Sequence, residues 1–298
     1  MTRTEHFWAS SGSQDGCPRL HGLVVDQALG GSSRLLLQGL GCESSTIWTP
    51  LLSELEIRGD MRESIMFDVR GIGRSEGFPT TIDTIVNDAL EIIRVCKPKS
   101  LQLVGHSLGG IVALKLATRL GALVDSVVLI CSLPTYSKGA KAGFVWRAEV
   151  VREAANVSSI FAGVMPRSFS AATAASRPEL IDGFKAMLAK QDPLVYAHLS
   201  ELASEVDGGN ELHALQTELH FVAGADDRSV LSEDVTELAR QVHGKVTVIS
   251  EAGHNIPIEC PGELARLLMD VDMRLRAEHS AQMSRSVATG SRDPEFIK

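Results

Sequence analysis

The sequence predicts an α/β fold with a doubly wound, mostly parallel sheet and a helical cap insertion. Short, continuous apolar runs alternate with longer segments of helical periodicity along most of the 298 residues. This alternation is interrupted once, between Leu133 and Leu215. Continuous apolar runs are typical of strands covered on both faces, as the strands of a parallel sheet are. The length allows one large α/β domain or two smaller ones, and the composition allows a sizeable core.

Six apolar runs are interpreted as strands of this sheet, and helices are predicted between them. The strands are expected at 34–38, 64–69, 100–104, 126–130, 218–223 and 245–250. The helices are expected from Ile82 to Cys96, Leu108 to Leu120, Ser229 to Val242 and Pro261 to Arg276. Repeated strand–helix–strand units imply right-handed crossovers, and therefore a sheet with helices on both faces.

The segment 133–215 contains helical patterns and several aromatic residues but no convincing strand. We therefore predict a core domain formed by 1–132 and 216–278, with 133–215 inserted as a helical cap. Residues 279–298 are polar and poorly periodic, so they are predicted to form a flexible C-terminal tail.

Composition and charge restrict the partners and the location. The net charge is −8, and lysine and arginine do not cluster, which argues against a nucleic acid partner. The sequence lacks a secretory h-region and a run of about 18 apolar residues, so neither a signal peptide nor a membrane span is expected. A cytoplasmic protein with a small-molecule substrate is predicted, and formation of a homo-oligomer is left open.

The cysteines give no sign of a metal site or a disulfide framework. Five are scattered along the chain without a C-x-x-C pair, and their number is odd. We interpret them as reduced thiols. The segment "GLGCES" has only a superficial similarity to a dinucleotide-binding loop, because the third glycine is missing. No metal and no cofactor are therefore expected.

The stretch "LQLVGHSLGG" places Ser107 between two glycines, directly after an apolar strand and before a helix. This G-x-S-x-G pattern is weak by itself, but a strand before it and a helix after it are the context that a nucleophilic serine requires. The alternative is a glycine-rich turn with a solvated serine that caps the helix. The pattern and its context leave both interpretations open.

A serine hydroxyl needs a base, and the base needs an acid that orients it. His254 follows the predicted strand 245–250 and precedes the last helix. Asp226 and Asp227 follow the strand 218–223. All three lie at the carboxyl edge of the predicted sheet, as Ser107 does. Either aspartate can be the acid, and the other can cap the following helix. The order Ser, Asp, His matches the order expected for such a site.

With these segments the sequence resembles the α/β-hydrolase superfamily from about residue 20 to 276. The resemblance rests on "GHSLGG", "GADD", the "GH" loop and "FDVRGIGRSEG". It implies Ser107 as nucleophile, His254 as base and Asp227 as acid, with Asp226 as the fallback. It also implies an oxyanion hole formed by the backbone N–H groups of Leu40 and Leu108.

Four further polar residues have an expected structural role. Asp68, Arg70 and Ser75 belong to the family-like segment at 67–77 and are interpreted as residues that hold a turn. Gln38 stands where many relatives have histidine, and its side chain is expected to hold the loop by hydrogen bonds.

The predicted function is that of a serine hydrolase that cleaves a carboxylic ester of a small, partly apolar substrate through an acyl-enzyme. Thioesterase, acyltransferase, lactonase and C–C bond hydrolase activities use the same three residues and remain alternatives. A ligand receptor on the hydrolase fold is a further alternative, which the presence of all three residues disfavours.

Overall fold

A computed structural model describes residues 3–10, 17–26, 32–60 and 62–289. Within these residues the sheet has eight strands in the order β1-β2-β4-β3-β5-β6-β7-β8. β2 pairs antiparallel with β1 and β4, and the other pairs are parallel. The predicted mostly parallel sheet is therefore confirmed. The strands are β1 (Arg3–Ser10), β2 (Arg19–Asp26), β3 (Ser32–Leu37), β4 (Glu63–Phe67), β5 (Ser100–His106), β6 (Val124–Ile130), β7 (Glu218–Gly224) and β8 (Lys245–Ile249).

Helices cover both faces of the sheet, as a doubly wound fold requires. Strand side chains alternate between two apolar clusters, so that Leu35 and Leu37 belong to one and Leu36 to the other. The first cluster includes residues of α2, α3 and α10, and the second includes residues of α1 and α12. These helices are α1 (Ser44–Ile57), α2 (Ile82–Cys96), α3 (Leu108–Leu120), α10 (Ser232–Gln241) and α12 (Pro261–Thr289), with the short α11 (Ile256–Glu259) before α12.

Four elements, β1, β2, α1 and α12, differ from the sequence-based expectation. The hairpin β1–β2 was not predicted. β1 is the edge strand and most of its residues are exposed, and β2, although largely buried, has only the short apolar run Leu23–Val25. Helix α1 was also missed, and it has Pro50 in its interior. Helix α12 was expected to end at Arg276 but continues to Thr289, since neither glycine nor proline interrupts the sequence before Gly290.

The flexible tail predicted for 279–298 is thus helical through Thr289, and residues 290–298 lie outside the described residues. No helix in the described part of the chain is long and apolar enough to cross a membrane.

The chain between β6 and β7, which the structure describes throughout, forms six α-helices. Where it leaves and returns to the sheet, Thr135 and Asp207 form an isolated antiparallel bridge, and the Gly208 N–H donates to the Pro134 carbonyl at 2.7 Å. The division into a core and a cap of 133–215 stays a prediction. The helices are α4 (Lys138–Ala154), α5 (Phe161–Ser168), α6 (Ala171–Ser176), α7 (Pro178–Ala189), α8 (Pro193–Glu205) and α9 (Gly209–Ala214).

The residues of the segment 67–77 hold turns. The Asp68 carboxylate accepts hydrogen bonds from the backbone N–H and hydroxyl of Ser44 at 2.9 and 2.8 Å, at the start of α1. The Ser75 hydroxyl donates to the Asp68 carbonyl at 2.6 Å. Arg70 forms two hydrogen bonds of 2.7 Å with Asp88 on α2. The segment therefore fixes the loop between β4 and α2 against two helices.

A buried ion-pair network ties the sheet to α12. Arg34 on β3 is fully buried and donates to Asp60 and Asp272, in both cases at 2.9 Å. Arg62 donates to the second oxygen of Asp272 at 2.7 Å and also pairs with Asp125. Asp272 thus bridges two buried arginines, each of which has a second carboxylate partner.

Asp272→Asn is expected to lower the free energy of unfolding by about 2 kcal/mol, because an amide cannot accept hydrogen bonds from both Arg34 and Arg62 and would leave buried donors without an acceptor. Urea denaturation measures this. Asp270 lies exposed on the same helix, and Asp270→Asn is expected to change stability by no more than about 0.5 kcal/mol. If the two variants had equal free energies of unfolding, the contribution assigned to the hydrogen bonds of Asp272 would be wrong.

Candidate active site

Ser107 lies at the sharp turn between β5 and α3. Its backbone has φ 53° and ψ −121°, an unusual conformation for a residue with a side chain. The turn is held on both sides: the Ser107 N–H donates to the Ile130 carbonyl at 2.9 Å, and the Ser132 hydroxyl donates to the Ser107 carbonyl at 2.7 Å. These hydrogen bonds hold Ser107 at the turn, immediately after β5 and before the first residue of α3.

Two glycines allow this turn to pack closely. A Cβ added at Gly105 would lie 2.4 Å from the Cα of Gly110, and one at Gly109 would lie 2.2 Å from the carbonyl oxygen of Leu37. Both distances are far below van der Waals contact. Glycine is therefore required where β5, α3 and the end of β3 meet.

His254 connects Ser107 to Asp227. The His254 Nε2 atom lies 3.0 Å from the Ser107 hydroxyl oxygen, and Nδ1 lies 2.7 Å from a carboxylate oxygen of Asp227. The carboxylate accepts only, so Nδ1 carries the ring proton and Nε2 can accept a proton from the serine. The His254 ring is mostly buried, with 14 % of the side chain exposed.

The carboxylate beside His254 belongs to Asp227. Its second oxygen accepts from the backbone N–H groups of Ser229 and Val230 at 2.7 and 3.0 Å. Burial alone would raise the pKa of Asp227, but His254 and these two N–H groups outweigh it, so the pKa is lowered and the group is ionised. Asp226 is exposed, and its backbone N–H donates a hydrogen bond to the Ala252 carbonyl at 2.9 Å.

Leu40 and Leu108 are the two residues predicted to supply the oxyanion hole. Leu108 follows Ser107 as the first residue of α3. Leu40 belongs to the loop after β3 and lines a cavity that Ser107 also lines. That loop touches the serine, since a Cβ built on Gly39 would lie 3.3 Å from the Ser107 Cβ. Gln38 anchors the loop by donating from its amide to the Phe67 carbonyl at 2.9 Å. The role of these two N–H groups remains a prediction.

Two buried residues that sequence reasoning did not single out hold the His254 loop. The His106 Nε2–H donates to the His254 carbonyl at 2.8 Å. The Glu259 carboxylate accepts from the N–H groups of Gly253, at 3.2 Å, and Asn255, at 3.1 Å, on either side of His254. His106 is the residue before the serine in "GHSLGG", which is the only sequence signal for its role.

Ser107 and His254 open into a cavity of about 510 Å³. Most of its wall comes from the helical segment 133–215, with aromatic and aliphatic residues and one half-buried arginine, Arg147. This wall was predicted as a cap, but its individual residues were not. They include Tyr136, Phe144, Trp146, Phe184, Leu188 and Tyr196.

Within the described residues, one group of potential metal ligands was found, and it overlaps this site. Atoms of Cys131, Asp227 and His254 lie within 4.8 Å of one another. Burial, and then the charge of Asp227, raise the pKa of the Cys131 thiol well above its usual value. The thiol is thus protonated, and the other two groups are already paired with each other, so this set fits a metal ion poorly.

The chain belongs to the Alpha/beta hydrolase family, whose sequence profile it matches over residues 20–267. The predicted family and fold are thereby confirmed, and the chain is a hydrolase-fold enzyme. A curated relative is the "Putative carbamate hydrolase RutD" of Agrobacterium fabrum, which is 37 % identical over 99 residues. That match spans 32 % of this chain and 36 % of the relative, so only about a third of the relative's length is covered.

Solved structures share the fold over nearly the whole chain. A thermophilic esterase from Thermogutta terrifontis has a TM-score of 0.78 at 23 % identity and covers 91 % of this chain and 99 % of its own. The enol-lactonase from Burkholderia xenovorans LB400 has a TM-score of 0.74 at 22 % identity, with 86 % and 97 % covered. At these identities the likeness establishes the fold.

His106 is expected to make the protein less stable in mild acid. Burial, and then the charge of His254, lower the pKa of His106 to about 3, against about 6.5 in the unfolded chain. Between pH 7 and pH 5 the unfolded state gains a proton that the folded state does not bind. The free energy of unfolding should therefore fall by about 2 kcal/mol from this group alone.

His106→Gln is expected to reduce the stability difference between pH 7 and pH 5 by that amount, measured by urea denaturation at both pH values. His213 is exposed on α9, and His213→Gln should keep the wild-type difference. An unchanged pH dependence in the His106 variant would mean that the buried ring takes up a proton in the folded state.

Proposed function

We propose that the chain is a serine hydrolase that cleaves a carboxylic ester of a small, partly apolar substrate through an acyl-enzyme. The observation that supports this most directly is the hydrogen-bonded series from Ser107 through His254 to Asp227 at the floor of a cavity. Two neighbouring backbone N–H groups, those of Leu40 and Leu108, complete the proposed machinery.

In this mechanism the Ser107 hydroxyl attacks the ester carbonyl while His254 Nε2 takes its proton. Asp227 stabilises the imidazolium and keeps the ring in the required tautomer. The N–H groups of Leu40 and Leu108 stabilise the negative oxygen of the tetrahedral intermediate. His254 then protonates the leaving alcohol, and a water molecule activated by the same histidine releases the acid.

The same residues can act on related carbonyl compounds. An activated serine can hydrolyse thioesters, lactones and carbamates, and it can also catalyse acyl transfer or C–C bond cleavage. The choice among these reactions therefore depends on the cavity wall. Because the chain is partly similar to a relative named as a putative carbamate hydrolase, carbamates should be tested as substrates together with esters. The aromatic and aliphatic wall favours a partly apolar substrate of limited size.

Ser107→Ala is expected to fold normally and to lose turnover of p-nitrophenyl esters by at least about 10⁴-fold, because the nucleophile is removed. It should also lose labelling by a fluorophosphonate. Ser53→Ala, an exposed serine on α1, is the matched control and should keep both. Turnover above a few per cent in Ser107→Ala would contradict the mechanism, and labelling of the wild type without turnover would favour a receptor.

Asp227→Asn is expected to lower kcat by about 10³- to 10⁴-fold, because the amide no longer fixes the histidine tautomer. The adjacent Asp226→Asn should change kcat by less than about twofold, since Asp226 is exposed. Steady-state kinetics with a single ester compares the two variants. The reverse ranking would assign the acid to Asp226.

A further inference from the structure

The cavity at Ser107 has a positive side, although the chain has a net charge of −8. Arg147, Arg167 and Arg228 line it, whereas the one carboxylate among the described lining residues is that of Asp234, which is exposed. Arg167 and Arg228 are exposed as well, so Arg147 is the cation that lies deepest.

Among the described side chains, none neutralises the charge of Arg147. No carboxylate in the described ranges lies within ion-pair distance of its guanidinium, whereas Arg152, further along the same helix α4, pairs with Glu201. The Arg147 guanidinium carbon lies 5.0 Å from the ring centroid of Phe144, which fixes its direction. Burial raises the pKa values of the Tyr136 and Tyr196 phenols to about 12, and both phenols lie near enough to Arg147 that its charge partly lowers these pKa values.

Tyr136 provides an independent sign of a missing acceptor. Tyr136 lines the cavity, and only 7 % of the residue is exposed. Its hydroxyl has no hydrogen-bond partner with good geometry in the part of the chain that the structure describes. A buried donor without an acceptor carries a free-energy penalty that a ligand oxygen would relieve. Tyr136 and Arg147 contact the same ring, since the centroids of Tyr136 and Phe144 are 5.1 Å apart and the Arg147 guanidinium lies over Phe144. Burial raises the pKa of the phenol, but the Ser107 side chain lies close enough to lower that pKa in part by hydrogen bonding.

We propose that Arg147 and Tyr136 form a subsite for a carboxylate of the substrate, so that the enzyme acts on esters that also carry a free carboxylate. This proposal rests on the proposed function and adds its substrate class. A guanidinium and a phenolic O–H both donate, and a carboxylate offers oxygens to each of them. Since one phenol separates the subsite from Ser107, the substrate is short, with only a few carbons between the carboxylate and the scissile carbonyl.

The test compares anionic and neutral esters of matched length. Monoethyl succinate, glutarate and adipate carry the carboxylate, and ethyl butyrate, valerate and hexanoate are neutral counterparts; release of ethanol is measured. The wild type is expected to have a kcat/KM at least tenfold higher for the best anionic ester than for its counterpart. Arg147→Gln should lower kcat/KM for that ester by about 100-fold, mainly through KM, and change the neutral ester by less than threefold.

Three variants separate recognition from a purely structural role. Arg147→Lys should restore part of the loss, and Tyr136→Phe should lower kcat/KM for the anionic ester by about tenfold. Arg152→Gln, which removes an exposed arginine of the same helix, should have no effect on either ester. Equal losses for anionic and neutral esters in Arg147→Gln, or a wild-type preference for the neutral series, would overturn the proposal.

Binding without chemistry distinguishes failure of the subsite from failure of the proposed hydrolysis. Calorimetry of Ser107→Ala with succinate, glutarate and adipate should detect binding that Arg147→Gln abolishes in the same background. Such binding without ester turnover by the wild type would support the subsite and count against the hydrolysis. Absence of binding at millimolar concentrations would reject the subsite, whatever the wild type hydrolyses.

Discussion

Backbone hydrogen bonds at the carboxyl edge of the parallel sheet determine where every proposed reacting group lies. They continue just beyond the strand ends: Ser107 N–H donates to Ile130, Cys131 N–H to Val222, and Ala225 N–H to Ile249. The loops that leave β5, β6 and β7 therefore start from fixed positions. This is why a serine and a histidine 147 residues apart in sequence approach to 3.0 Å. A shift in register at any of these strands would separate them.

This dependence explains which parts of the molecule could be predicted. The buried parallel strands appear in the sequence as apolar runs, and their ends are where Ser107, Asp227 and His254 follow. The edge strand β1 leaves no such signal because most of its residues are exposed, and β2 leaves only a short one because its apolar run is limited to Leu23–Val25. His106 and Glu259 were not singled out, since a buried polar residue reveals its partner only after the loop that it supports has folded.

The cavity wall is a different case. Tyr136 and Arg147 belong to a segment whose helical character is visible in its periodicity, but their approach to Ser107 depends on how α4 returns over the sheet. No spacing in the sequence encodes that approach. The bridge between Thr135 and Asp207 joins the two ends of this segment outside the sheet, and α4 packs against α8 within the segment.

The two sides of the cavity differ in how well their polar groups are satisfied. On the sheet side, Asp227 and the backbone around His254 have partners within the protein, which holds them ready for one type of chemistry. On the helical side, the Tyr136 hydroxyl lacks an acceptor and the charge of Arg147 lacks a counter-charge among the described residues. Groups that the protein leaves unsatisfied at a cavity wall are available to a ligand. Under the proposed function, the sheet side therefore supplies the reacting groups, and the helical side selects the substrate.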